Sequence, residues 1–110
     1  MLPDALGECK KLMKLTLSSA KNISVLPEFI GNFKELRQLY LEKTKIAALP
    51  PSLKQCSNLE NLDLKTDCLE AIPDWIEDFP KLEMLWVWES QAINSEVEKR
   101  LLERGVIIEK

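Results

Sequence analysis

Met84, Trp86 and Trp88 alternate along one short stretch of the chain, and Tyr40 occupies the matching place in an earlier stretch of the same pattern. Indoles and a phenol on one surface are suited to non-covalent recognition. Each brings a large, rigid apolar area together with one polar atom. Glu42, Asp63 and Lys65 fall at neighbouring positions of the alternation and could orient a partner by charge. The inventory for covalent chemistry is poor by comparison. The chain has no histidine, and its three cysteines (Cys9, Cys56 and Cys68) form no C-x-x-C pair. With only three glycines it encodes no glycine-rich phosphate loop. No catalytic residue, metal ligand or cofactor site is assigned, and the chain reads as a non-enzyme.

The alternation belongs to a larger repeat. The pattern L-x-x-L-x-L runs through Leu12, Leu15, Leu17; Leu36, Leu39, Leu41; Leu59, Leu62, Leu64; and Leu82, Leu85, Val87. A second signature, Leu-Pro or Ile-Pro, keeps step with it at Leu2-Pro3, Leu26-Pro27, Leu49-Pro50 and Ile72-Pro73, with spacings of 24, 23 and 23 residues. Two patterns sharing one period indicate stacked structural units. The expected organisation is one domain over 1–110: a half repeat at 1–11, repeats at 12–35, 36–58 and 59–81, and a terminal repeat with its cap at 82–110.

Within a unit, Leu39 and Leu41 alternate with Gln38, Tyr40 and Glu42, the period of a strand with one buried face. Lys43, Thr44 and Lys45 turn the chain, and Pro50 opens a short helical return. Units this small bury their leucines only by stacking, and a full return loop makes successive strands parallel. The outward residues then form three columns: Lys14, Gln38, Asn61, Met84; Thr16, Tyr40, Asp63, Trp86; and Ser18, Glu42, Lys65, Trp88. Neighbouring rows lie about 5 Å apart, so the columns make one solvent-facing surface. The binding residues expected on it are Tyr40, Glu42, Asp63, Lys65, Met84, Trp86 and Trp88.

The repeat resembles the leucine-rich repeat family, whose pattern L-x-x-L-x-L-x-x-N-x-L followed by a Leu-Pro return is matched from Leu12 to about Ile93. The register is similar to that of short bacterial and plant-like repeats. The resemblance implies an α/β fold: a right-handed solenoid with a parallel sheet on its concave face. It also implies a recognition scaffold. The family usually places asparagine in the turn after the strand. This chain has Ala20 (or Lys21), Thr44, Asp67 and Ser90 there, so looser turns are expected.

Both ends need protection in a repeat array. Ser95-Glu96-Val97-Glu98 reads as a capping box with Ser95 at the N-cap, and Val97, Leu101 and Leu102 give the helix an apolar face. Gly105 suits a left-handed stop, and Val106, Ile107 and Ile108 read as a last strand, completing a helix–strand cap. Residues 1–11 carry no capping helix, so the first strand (12–18) is expected to be a bare edge. That fits either a longer array or pairing between two molecules, giving a monomer or weak homodimer.

The column Cys9, Phe33, Cys56, Phe79 precedes each strand-opening leucine by three residues and is expected to be buried. Two repeats put Cys9 and Cys56 about 10 Å apart, beyond the roughly 7 Å that a disulfide spans. Free thiols fit a cytoplasmic location. The net charge of −3 comes without a basic run, which argues against nucleic acid. No apolar stretch approaches the roughly 20 residues that span a bilayer. The leading expectation is a protein- or peptide-binding module working through the concave sheet. The alternatives are self-assembly through the first edge strand or the Trp86/Trp88 patch, and a substrate-recognition arm of a larger effector or receptor.

Overall fold

Each strand is only three residues long, centred on the middle leucine of its pattern or, in the last strand, on Ile108. A computed structural model describes residues 4–110; Leu2-Pro3 lies outside the described residues. Strands β1 (Lys14–Thr16), β2 (Gln38–Tyr40), β3 (Asn61–Asp63), β4 (Met84–Trp86) and β5 (Ile107–Glu109) form one parallel sheet in sequence order. The register aligns Leu15, Leu39, Leu62, Leu85 and Ile108 on its inner side. This is the α/β solenoid of stacked units expected from the 23-residue period.

The opposite layer consists of single 3₁₀ turns at Asp4–Glu8, Glu28–Asn32, Pro51–Gln55 and Asp74–Asp78. Pro27, Pro50 and Pro73 stand one place earlier than a first-turn role requires. Each is an extended N-cap residue whose carbonyl accepts the first bond of the turn, from Ile30, Leu53 and Ile76 at 3.0, 3.0 and 3.1 Å. Between the layers Ile30, Phe33, Leu36, Leu39, Leu41, Ile46, Leu53, Leu59, Leu62 and Leu64 have no solvent exposure. Each such side chain contributes about 2 kcal/mol by leaving water. Phe29 and Trp75 form the outer packing, edge-on to Phe33 and Phe79 at 6.1 Å each. Among the described residues no helix is long and apolar enough to cross a membrane.

Several expectations shift. The cysteine column is buried at Phe33, Cys56 and Phe79, but Cys9 is exposed. Its unit is packed on one side only among the described residues, whereas Cys56 lies between two neighbours. The helix α1 (Ser95–Glu103) is capped by Asn94 rather than Ser95. Asn94 is non-helical (φ −58°, ψ 125°), its side chain accepts from the Glu96 and Val97 amides at 2.9 and 3.4 Å, and its carbonyl accepts from Glu98 at 2.9 Å. Gly105 does adopt the left-handed φ of 89° that the helix stop requires. Arg104 fastens α1 to the preceding unit, donating to the carbonyls of Glu77 and Phe79 at 2.8 and 2.7 Å.

Three of the turns after the strands are tied by side-chain hydrogen bonds, and two of the residues expected to make them do not. Thr44 is fully buried and donates to the Leu41 carbonyl at 2.9 Å. Asp67 and Ser90 are exposed, and Thr66 and Gln91 fill the inward places instead. The Thr66 hydroxyl donates to the Ile46 carbonyl (2.6 Å) and accepts from the Leu69 amide (2.9 Å). The Gln91 amide donates to the carbonyls of Leu64 and Leu69 (2.7 and 2.9 Å), while its oxygen accepts from the Trp88 amide (2.7 Å). A longer side chain from one position later thus binds three backbone groups.

Candidate functional site

The strand register carries the three outward columns into place. Tyr40, Asp63 and Trp86 are in line across β2, β3 and β4, and Asn61 and Met84 are in line beside them. Glu42, Lys65 and Trp88 follow two residues beyond, where the Leu41 amide donates to the Asp63 carbonyl and the Leu64 amide to the Trp86 carbonyl, at 3.1 and 2.9 Å. All seven expected site residues therefore share one face of the sheet.

Their exposure differs from the expectation of an open patch. Tyr40, Glu42, Lys65, Met84, Trp86 and Trp88 are half-buried, and Asp63 is buried, with 6% of its surface exposed. The cause is aromatic. Tyr40 and Trp86 lie two rows apart, yet their ring centroids are 6.0 Å apart at an interplanar angle of 55°. Two rows of backbone alone would hold them about 9.6 Å apart. The rings lean together over the shorter Asp63 between them.

The polar groups respond. Burial pushes the Asp63 carboxyl above its ordinary range; the Lys65 amide, donating to its Oδ1 at 2.9 Å, opposes this, the Glu42 carboxylate adds to it, and the Lys65 charge opposes it. Lys14 and Lys65 lie over aromatic rings instead of pairing with acids: Lys14 Nζ is 5.6 Å from the Tyr40 centroid, and Lys65 Nζ is 5.1 Å from that of Trp88. The Trp88 backbone is fixed by Gln91, so the turn that replaces asparagine also positions one site indole.

The face extends further than the three columns of four. β5 adds Ile107 beside Met84 and Glu109 beside Trp86. Ile107 is 52% exposed. The same alternation that placed Trp86 would have placed both residues, had it been continued into the last strand. Away from this face, Cys56 is no nucleophile. Its thiol donates to the Ile30 carbonyl at 3.1 Å, and burial pushes it up to about 11 despite the nearby Lys34 charge.

No protein-family model matches the chain. It is 29% identical to the disease resistance protein RPP5 of Arabidopsis thaliana over 82% of its own length and 8% of that protein. Among solved structures it superposes on the LRR protein LIC12759 of Leptospira interrogans with a TM-score of 0.80 and 28% identity, over the whole of this chain and 28% of that one. The chain thus spans well under a third of either relative. Short parallel strands in sequence order, the 23-residue period and these two likenesses agree: the chain has the fold of a leucine-rich repeat solenoid and is similar to proteins of that kind.

Proposed function

We propose that the chain is a recognition module that docks a protein or peptide on the outer face of β2–β5, without catalysis. The observation that carries this reading is the Tyr40–Trp86 ring pair with Met84 and Trp88 beside it. Four large side chains stand on the solvent side of the sheet, where none is needed to fill the core. Their apolar area provides affinity once a partner excludes water, and Glu42 and Lys65 at the margin provide selectivity. Asp63 contributes from beneath the rings rather than at the rim. The chain corresponds to a small part of each relative, which supports its acting as the recognition arm of a larger protein.

The test is affinity capture with the wild type and with Trp86→Ala/Trp88→Ala. The double variant should keep cooperative unfolding and lose the partner. Undiminished capture would place the interface elsewhere. A competing reading is self-association through β1, which among the described residues pairs with β2 alone. A molar mass that rises with concentration in light scattering would favour it.

A further inference from the structure

The sheet face is electrically graded. Lys14 lies in β1, Arg37 stands just before β2 and Glu42 two places after its end, whereas Asp63 and Glu109 lie in β3 and β5 and Glu60 and Glu83 stand just before β3 and β4. Among the described residues the acids on the β3–β5 side have no ion-pair partner. Among the described residues the salt bridges are Arg100–Glu77 and Lys110–Glu98, both 3.0 Å and both on the cap. Lys65, the base nearest Asp63, is over the Trp88 ring.

The rings add a second, independent asymmetry. Tyr40 and Trp88 each hold a lysine of this chain, while among the described residues no cation lies over Trp86. Yet Trp86 is the ring in register with Asp63 on one side and Glu109 on the other. Asp63 is more than nine-tenths buried and accepts one bond, at Oδ1. Among the described residues no fully buried side-chain oxygen lacks a partner, so its Oδ2 is not sealed from solvent.

We propose that Trp86 seats a basic side chain of the partner, an arginine, presented by a peptide segment lying across β3–β5; this rests on the sheet face being the docking surface. A guanidinium stacks on an indole with its flat face and keeps in-plane N–H donors free for carboxylates. Asp63 Oδ2 and Glu109 supply acceptors on either side of the ring, and Glu83 strengthens the local negative field. Lysine would satisfy the charge but not the stacking.

The probes are capped octapeptides with two arginines in a Gly/Ser background and otherwise identical peptides carrying lysine, glutamate or leucine. The readout is the indole N–H resonance of Trp86, with Trp75 on the opposite layer as internal control. The arginine peptide should move the Trp86 signal and leave Trp75 in place, and bind more tightly than the lysine peptide. The variant Glu83→Gln/Glu109→Gln, altered at two exposed positions, should bind it roughly fivefold more weakly. Three results would overturn the inference: no Trp86 shift with arginine, an equal shift with leucine or glutamate, or undiminished binding by the glutamine variant. An equal response to leucine would leave the docking face standing and remove only the basic anchor. Partner capture that survives Trp86→Ala/Trp88→Ala would remove the face itself.

Discussion

The rings of Tyr40 and Trp86 meet at 6.0 Å across a strand that separates their backbones. What lies beneath them is a carboxylate. A short side chain in the middle row lets two long ones converge, and Asp63 between them keeps only 6% of its surface in water. One contact therefore both joins the proposed recognition surface and sets the electrostatics of its floor.

Asp63→Asn tests that arrangement through pH. Burial holds the folded carboxyl above its ordinary value, so the folded state binds this proton more tightly than the unfolded chain does. Stability from this group is greatest below the usual carboxylate range and falls as pH rises through the folded value. Asparagine keeps an acceptor for the Lys65 amide and cannot ionise. Asp63→Asn should melt higher than wild type at pH 7, with the gap closing on acidification. A lower melting temperature at pH 7 would show that the charged form is held by donors rather than opposed by burial.

Gln91 and Ser90 should differ sharply although they are adjacent. Gln91→Ala leaves the Leu69 carbonyl and the Trp88 amide without their partner, leaves the Leu64 carbonyl with the Thr66 amide alone, and should cost about 2–4 kcal/mol in denaturant unfolding. Ser90→Ala removes an exposed hydroxyl and should stay within about 0.5 kcal/mol. Equal effects would contradict the assignment of Gln91 to the inward position.

The thiols should separate by burial. Cys9 and Cys68 are exposed and should react with an aromatic disulfide reagent in the native protein, whereas Cys56 should react only on unfolding. Because Cys56 is raised to about 11 when folded, its contribution to stability is intact below the ordinary thiol value and declines as pH rises toward 11. Cys56→Ala should remove that part of the alkaline loss. Native labelling of all three thiols would show that the second unit opens readily.

Gly31 should tolerate no side chain. A Cβ there would come within 2.7 Å of the Ser52 carbonyl oxygen on the next 3₁₀ turn, a backbone atom that cannot swing away. Gly31→Ala should destabilise by about 1–3 kcal/mol. Gly105→Ala meets no atom within 4 Å but must adopt the left-handed φ, and should cost about 1 kcal/mol through backbone strain alone.

The repeat architecture was legible because period and register are coupled: leucines spaced by 23 residues align Leu39, Leu62 and Leu85 in one row, and the alternation assigns each neighbour a face. What depends on two side chains meeting in space was not legible. Asp63 reads as a surface acid until Tyr40 and Trp86 are seen to lean over it. Cys9 matches its column by spacing, but its burial depends on a neighbour on its other side. Asn94 and Ser95 are both good N-caps, and the path of the chain decides between them. Gln91 was hidden by its length, since a residue one place further along the turn reached the carbonyls that a shorter side chain was expected to serve. The outward places of Ile107 and Glu109 were within reach of the alternation alone.

The most direct test is the footprint of a captured partner, measured by hydrogen–deuterium exchange together with the indole N–H signals. Protection confined to β2–β5, with Trp86 and Trp88 shifted and Trp75 unmoved, is the expected result. Protection of the 3₁₀ turns at Glu28–Asn32, Pro51–Gln55 and Asp74–Asp78, with the Trp86 and Trp88 signals unchanged, would contradict it.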